Sequence, residues 1–279
     1  MIPALISPLT ATLSASTMRL LNKLTPKLPL ALGLLCLAAP ADAQQRPDQI
    51  YVLDTRSGSI NMLPGIVQDY GLAETVIIRN GKERKYDTSR VERIVWGSVS
   101  GSFREGRTYF ERGDFENAAA KFLVAATNDE RAPVQAAARM LAAQSYLELS
   151  VKSPDRISDA IEQALRYVED HSDSAELPEA RALHARATWL SGDAAAAAPL
   201  FRAIFEEAGA AEVTEGYSIV PCLTAGLHAA RAYLAAGETL PAREIYSNLQ
   251  QRADSAIASL EEESRERAPL RRLSLEARA

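Results

Sequence analysis

A short block recurs four times in the second half of this 279-residue chain, and it restricts the fold more than any other feature. Gly106-Arg107-Thr108-Tyr109, Ala143-Gln144-Ser145-Tyr146, Ala185-Arg186-Ala187-Thr188 and Ala230-Arg231-Ala232-Tyr233 each place a small residue, a polar side chain, and then Tyr or Thr. Three of them run on through a Gly-acid doublet, Gly113-Asp114, Gly192-Asp193 and Gly237-Glu238, into a second segment in the same register. That segment carries Ala118, Phe122 and Ala125 in the first block, Ala197, Phe201 and Ile204 in the third, and Ala242, Tyr246 and Leu249 in the fourth. A helix-period pattern that repeats in this way describes supersecondary units that cannot bury their apolar faces alone and must stack on one another.

These residues resemble the tetratricopeptide-repeat (TPR) family. Its helix-turn-helix unit has small residues where the two helices touch and an aromatic from the second helix beside them. The resemblance covers about residues 102–252 and implies a TPR-like all-α solenoid of four helix pairs. Block starts lie 37, 42 and 45 residues apart, against about 34 in the family, so linkers or helix ends must absorb the excess. The second block departs from the pattern. Ser150 to Arg156 lengthens its turn, Ser153-Pro154 opens a helix with Pro at its first position, and Ile157 to Val168 follows with Ala160 as its only matching residue. Residues 253–263 keep helical character through Ala256, Ile257 and Leu260 and read as a capping helix that closes a repeat region of 102–263. The mixed-charge stretch 264–279, interrupted by Pro269, is expected to fray.

Upstream the period is two. Gln49 to Leu53, Ile60 to Val67, Thr75 to Arg79 and Val91 to Trp96 are rich in β-branched and aromatic residues. Arg79-Asn80-Gly81-Lys82 suits a two-residue hairpin, because Asn-Gly accepts the positive φ of a type I′ turn. About five short strands over residues 44–96 predict a small β-barrel, with a weak resemblance to SH3-like or Sm-like barrels. Residues 97–101 (Gly-Ser-Val-Ser-Gly) read as a flexible linker, and Ser102-x-x-Glu105 as a capping box that starts the helices. The expected fold class is thus α+β in two domains, a small all-β barrel followed by an all-α helical solenoid.

The first 43 residues read as a secretory signal. Arg19, Lys23 and Lys27 precede an apolar run from Leu28 to Ala39, and Ala41-Asp42-Ala43 supplies a small-x-small cleavage site. Residues 1–17 carry no charge, and Met18 offers an alternative start that gives a leader of conventional length. The apolar run is shorter than the roughly 20 residues a membrane-spanning helix needs, so no stable insertion is expected after cleavage. Leu35 before Cys36 does not suit a lipoprotein signal. The expected destination is the periplasm or the extracellular space. Cleavage leaves 28 Lys and Arg against 35 Asp and Glu, a net charge of −7, which favours solubility and opposes nonspecific nucleic-acid binding. Arg46 to Trp96 holds eight bases and seven acids, and its cluster Arg79, Lys82, Arg84, Lys85, Arg90 and Arg93 reads either as a solvated hairpin face or as a polyanion patch. Cys222 alone remains after cleavage, so the mature chain forms no internal disulfide.

Signatures of catalysis are absent. There is no phosphate-binding glycine loop, no dinucleotide-binding pattern and no paired Cys or His at zinc spacing. Residues 97–101 have Val where a nucleophile elbow needs Ser. His171, His184 and His228 stand in different repeats, and Glu261-Glu262-Glu263 points three ways around a helix. The chain is read as non-enzymatic, with no cofactor and no metal.

One row of residues suggests recognition instead. Arg107, Gln144, Arg186 and Arg231 occupy the same place in the four blocks, and the family resemblance implies that this place faces a concave groove. Phe103, Phe110, Trp189, Leu227 and Leu234 would flank it. The guanidinium fork suits carboxylates, so the row would hold a protein or peptide partner; the plainer reading pairs each Arg with a Glu of its own array. The resulting expectation is a scaffold or adaptor of the cell envelope. The alternative gives ligand binding, polyanionic or glycan, to the β-domain and leaves homo-oligomerisation to the repeats.

Overall fold

The computed structural model describes residues 46–54, 57–209, 213–260 and 264–278. The expected leader, its cleavage site, the Met18 start and the Glu261-Glu262-Glu263 run lie outside them. Residues 44–279 form one compact unit.

Five strands come first: β1 (Asp48–Leu53), β2 (Ile60–Tyr70), β3 (Glu74–Arg79), β4 (Lys82–Asp87) and β5 (Val91–Val95). They pair antiparallel in the order β4-β3-β2-β1-β5. The Asn80-Gly81 turn joins β3 to β4 with both residues at positive φ, 52° and 70°, as a type I′ hairpin requires. β2 is long because it serves two neighbours in turn, β1 through residues 60–65 and β3 through residues 66–70. Gly65 sits at the changeover, where a Cβ would come within 2.5 Å of an Ile77 methyl. Alternate residues Ile50 and Val52 of β1 bury with Val67, Ile77 and Val91 in a small core. The expected barrel is not closed: β4 and β5 end the order and do not pair. β4 is the reason, since Lys82-Glu83-Arg84-Lys85 brings charge to a free edge, a composition that resists further strand pairing.

Helices follow in consecutive antiparallel pairs: α1 (Gly101–Glu111) with α2 (Phe115–Asn128), α3 (Ala132–Ser150) with α4 (Ile157–Asp170), α5 (Leu177–Leu190) with α6 (Ala194–Glu206), and α7 (Ile219–Ala235) with α8 (Thr239–Ser259). This is the succession of helix pairs that the repeat predicted. The Gly-acid doublet makes three of the turns. Gly113, Gly192 and Gly237 end the first helices at φ of 75°, 90° and 83°, a left-handed position that glycine fills without a Cβ penalty. The next residue starts the second helix: Asp114 accepts from the Asn117 N–H and Asp193 from the Ala196 N–H, whereas Glu238 makes no such bond. Asp193→Ala is therefore expected to cost about 0.5–2 kcal/mol and Glu238→Ala distinctly less, measured as shifts in thermal midpoint.

Within a pair, the small residue of the first helix receives a ring from the second. A Cβ on Gly106 would stand 2.8 Å from Phe122. Across pairs, one on Gly226 would stand 2.4 Å from Phe205. In the second pair the ring is displaced by one place in the pattern: Ala164 stands where Phe122 does and Tyr167 where Ala125 does, and Tyr167 is fully buried.

Two expectations are corrected at the helix ends. The cap of α1 is Ser100, whose hydroxyl accepts from the Phe103 N–H at 3.2 Å, and Ser102 lies within the helix. Asp129 fixes Ser100 there by accepting its N–H at 2.8 Å. The C-terminal stretch expected to fray instead forms α9 (Arg267–Arg278), which packs on α8 and α7 through the buried Leu270 and Leu273. Pro269 falls in the first turn of α9, where its missing N–H is no loss.

The sheet is fastened to the connections between successive helix pairs. Asp48, fully buried at the start of β1, receives both amino groups of Arg131 from the α2–α3 connection, at 3.0 and 2.5 Å. It also accepts from the Val67 and Gly97 N–H groups at 2.8 and 2.7 Å. Arg131 in turn donates to the Val67 and Ser98 carbonyls. Leu72, in the β2–β3 turn, donates to the Asp173 carbonyl in the α4–α5 connection, and Ala175 donates back to the Tyr70 carbonyl. Leu72 also packs on Gly216 of the α6–α7 connection. The segment 97–101 is consequently no free linker; its backbone is held from both sides by Asp48, Arg131 and Asp129.

Candidate binding groove

The four equivalent positions differ in their surroundings. Arg107 is exposed on α1 and bonds Glu111 one turn along, at 3.4 Å. Arg231 on α7 pairs at 2.9 Å with Glu276 of α9. Both behave as the plainer reading has it. Gln144 on α3 donates to Glu179 on α5 at 2.9 Å. Among the described residues Arg186 makes no ion pair, and its side chain is exposed.

The flanking residues divide. Phe103 and Leu227 are core residues, 1% and 4% exposed, so they do not line a surface. Each sits three residues before the small position and points the same way, into the partner helix; Phe103 meets Phe122 edge-on with ring centres 5.7 Å apart. Phe110 and Trp189 are half-buried and Leu234 is 47% exposed.

Phe110, Gln144 and Arg186 are brought together in one cavity of about 310 Å³ along α1, α3 and α5. Leu147, Glu148, Glu179, Ala182 and Leu183 complete it. Leu147 and Glu148 are the next turn of α3 after Gln144, and Glu179 is the first turn of α5. Burial pushes the Glu179 carboxyl above the ordinary range, and the bond from Gln144 acts against that shift. The cavity thus offers apolar floor residues, two carboxylates and one uncommitted guanidinium. Further along the row, the His228 imidazole is held below its ordinary value by burial first and then by the charges of Arg231 and Arg186.

Glu148, Glu179 and His228 were not picked from the sequence as groove residues. Glu179 precedes the recurring block and its contact with Gln144 spans 35 residues, so only the stacking of helices reveals it. Among the described residues no group of three or more His, Cys, Asp or Glu is placed to hold a metal ion, and no helix is long and apolar enough to cross a membrane. Three residues of the basic cluster on the sheet are engaged locally, and Arg79, Lys82 and Arg84 stand together at the β3–β4 hairpin. Lys85 pairs with Glu74 at 2.8 Å, Arg90 donates to the Leu53 carbonyl, and Arg93 lies over the Tyr51 ring at 4.2 Å. Burial pushes the Cys222 thiol up to about 11, which keeps it unreactive.

No family model matches the chain, and no curated protein matches its sequence. Among solved structures it is similar to a putative kinesin light chain from Podosopora anserina described as having nearly identical TPR-like repeats. Identity is 18%, with 63% of this chain and 83% of that chain covered and a TM-score of 0.44. A single-substitution variant of the same protein matches with 18% identity over 63% and 82% of the two chains and a TM-score of 0.45.

Proposed function

We propose that this chain is a non-enzymatic scaffold that holds an extended segment of a protein partner in the cavity along α1, α3 and α5. The observation that carries the reading is Arg186. It stands in the Gln144–Glu179–Glu148 cavity beside the half-buried Phe110, and among the described residues no carboxylate pairs with it. An exposed guanidinium beside apolar side chains is suited to a carboxylate of an incoming chain, because both charge-assisted bonds of its fork remain to be made. Glu148 and Glu179 would take a basic side chain of the same segment. Export to the periplasm or beyond is part of the proposal and rests on the basic, apolar and small-x-small order of the first 43 residues.

Arg186 and Arg107 separate this reading from a purely structural one. Proteins captured from an envelope extract by the full chain are compared with those captured by Arg186→Glu and Arg107→Glu variants of unchanged thermal midpoint. The expected result is loss of capture by at least tenfold for Arg186→Glu, about 1.4 kcal/mol, and little change for Arg107→Glu. Equal capture by all three removes the groove from the function.

A further inference from the structure

The cavity along α1, α3 and α5 holds opposite charges that do not meet. Glu179, Ala182, Leu183 and Arg186 line it from positions i, i+3, i+4 and i+7 of α5. At that spacing they form one stripe of the helix, a carboxylate at one end, a guanidinium at the other and an apolar step between. Seven residues of α-helix set the two charges about 10.5 Å apart. On α3, Gln144 donates to Glu179 at 2.9 Å and stands one turn before Glu148, so both carboxylates border the same side chain. Glu148, Glu179 and Arg186 are exposed. Among the described residues neither glutamate forms an ion pair with a Lys or Arg, and Arg186 forms none with an Asp or Glu.

Given the groove reading above, we infer that the occupant is a segment in the polyproline II conformation with a Lys or Arg and an Asp or Glu three residues apart, the base between Glu148 and Glu179 and the acid on Arg186. The length of the stripe selects this geometry. A β-strand turns every second side chain to one side, in steps of about 7 and 13 Å, and neither matches. Polyproline II has three residues per turn, so side chains i and i+3 point the same way about 9 Å apart, a span that long charged side chains extend to the two ends. A helix matches only at i+7, and its body, about 10 Å across, needs more room over two turns than a cavity of about 310 Å³ gives. The side chains between the two charges turn toward α1 and α3, where Phe110 and Leu147 offer apolar contact; Pro and Leu suit those places, since an aromatic-lined groove takes the preformed polyproline II helix at low entropic cost. Charge pairing is satisfied with the base first or the acid first. A purely acidic segment gains Arg186 but meets Glu148 and Glu179, and a purely basic one does the reverse, so selection acts on the order and spacing of charges and comes partly from repulsion.

The test is the affinity of the full chain for blocked, fluorescein-labelled peptides of Pro, Ala and Leu, measured by anisotropy. Two carry Lys and Glu three apart, one in each order; a third has them seven apart, and a fourth keeps the Glu and replaces Lys with Ala. The better of the first two is expected to bind at least tenfold more tightly than the third and the fourth, and to lose that advantage in Glu148→Lys with Glu179→Lys. If the double variant folds poorly, Glu148→Lys alone, at an exposed position, serves in its place. Equal binding of the fourth peptide, still lost in Arg186→Glu, overturns the two-charge motif and leaves the groove reading intact. Tighter binding of the third means a helical occupant and also overturns it, as does no binding of either three-apart peptide up to about 1 mM. Binding that survives Arg186→Glu unchanged overturns the groove reading and the motif with it.

Discussion

Replacing Asp48 with alanine is expected to lower stability by about 3–5 kcal/mol, seen as a fall in the urea midpoint at unchanged slope. The magnitude follows from what is left behind. Arg131 keeps a side chain only 12% exposed but loses the carboxylate that neutralises it, and the Val67 and Gly97 N–H groups lose their acceptor. An unpaired buried charge costs more than the pair contributed. The double replacement Asp48→Leu with Arg131→Met should therefore be closer to wild type than Asp48→Ala alone. If Asp48→Ala costs under about 1 kcal/mol, the value of an exposed pair, then the seam is hydrated and the sheet is not fastened as described.

Phe122→Ala is expected to cost about 3–5 kcal/mol. Phe122 is fully buried, stacks edge-on with Phe103 and Phe110, and fills the notch opposite Gly106. The notch also makes the pair of positions non-additive. In wild type, Gly106→Ala forces a methyl against the ring at 2.8 Å and should cost about 1–3 kcal/mol. In the Phe122→Ala background the same methyl enters vacated space and lengthens no contact, and alanine is the better helix former, so Gly106→Ala should there be neutral or stabilising. A double-mutant cycle by chemical denaturation measures the coupling; simple additivity would mean that the two residues do not meet.

The helix pairs were legible because their rules are local. A glycine that ends one helix and an acid that starts the next leave a dipeptide signature, and three of the four turns carry it. The hairpin at Asn80-Gly81 was legible for the same reason. β4 was harder to place, since Lys82 to Asp87 has no β-branched residue and owes its extended form to pairing with β3 along its whole length. α9 was missed because its two core leucines sit among arginines and a proline, and what holds it is burial against α7 and α8. The groove was half legible: Gln144 and Arg186 stand on recurring positions, whereas Glu179 reaches Gln144 only through stacking, and Phe103 and Leu227 look like surface neighbours until the partner helix covers them. Asp48 gave no signal at all. A lone acid at a strand start is ordinary, and its partner lies 83 residues away.

The fastening of one small sheet to three successive inter-pair connections has a mechanical consequence. An array in which each pair touches only its neighbours yields by small tilts added along its length. Here Arg131, Asp173 and Gly216 are tied to a common strut through Asp48 and Leu72, so the tilts between the first four pairs are no longer independent. Pulled from its two ends, the chain should resist as one stiff body until the strut detaches, and only then extend pair by pair.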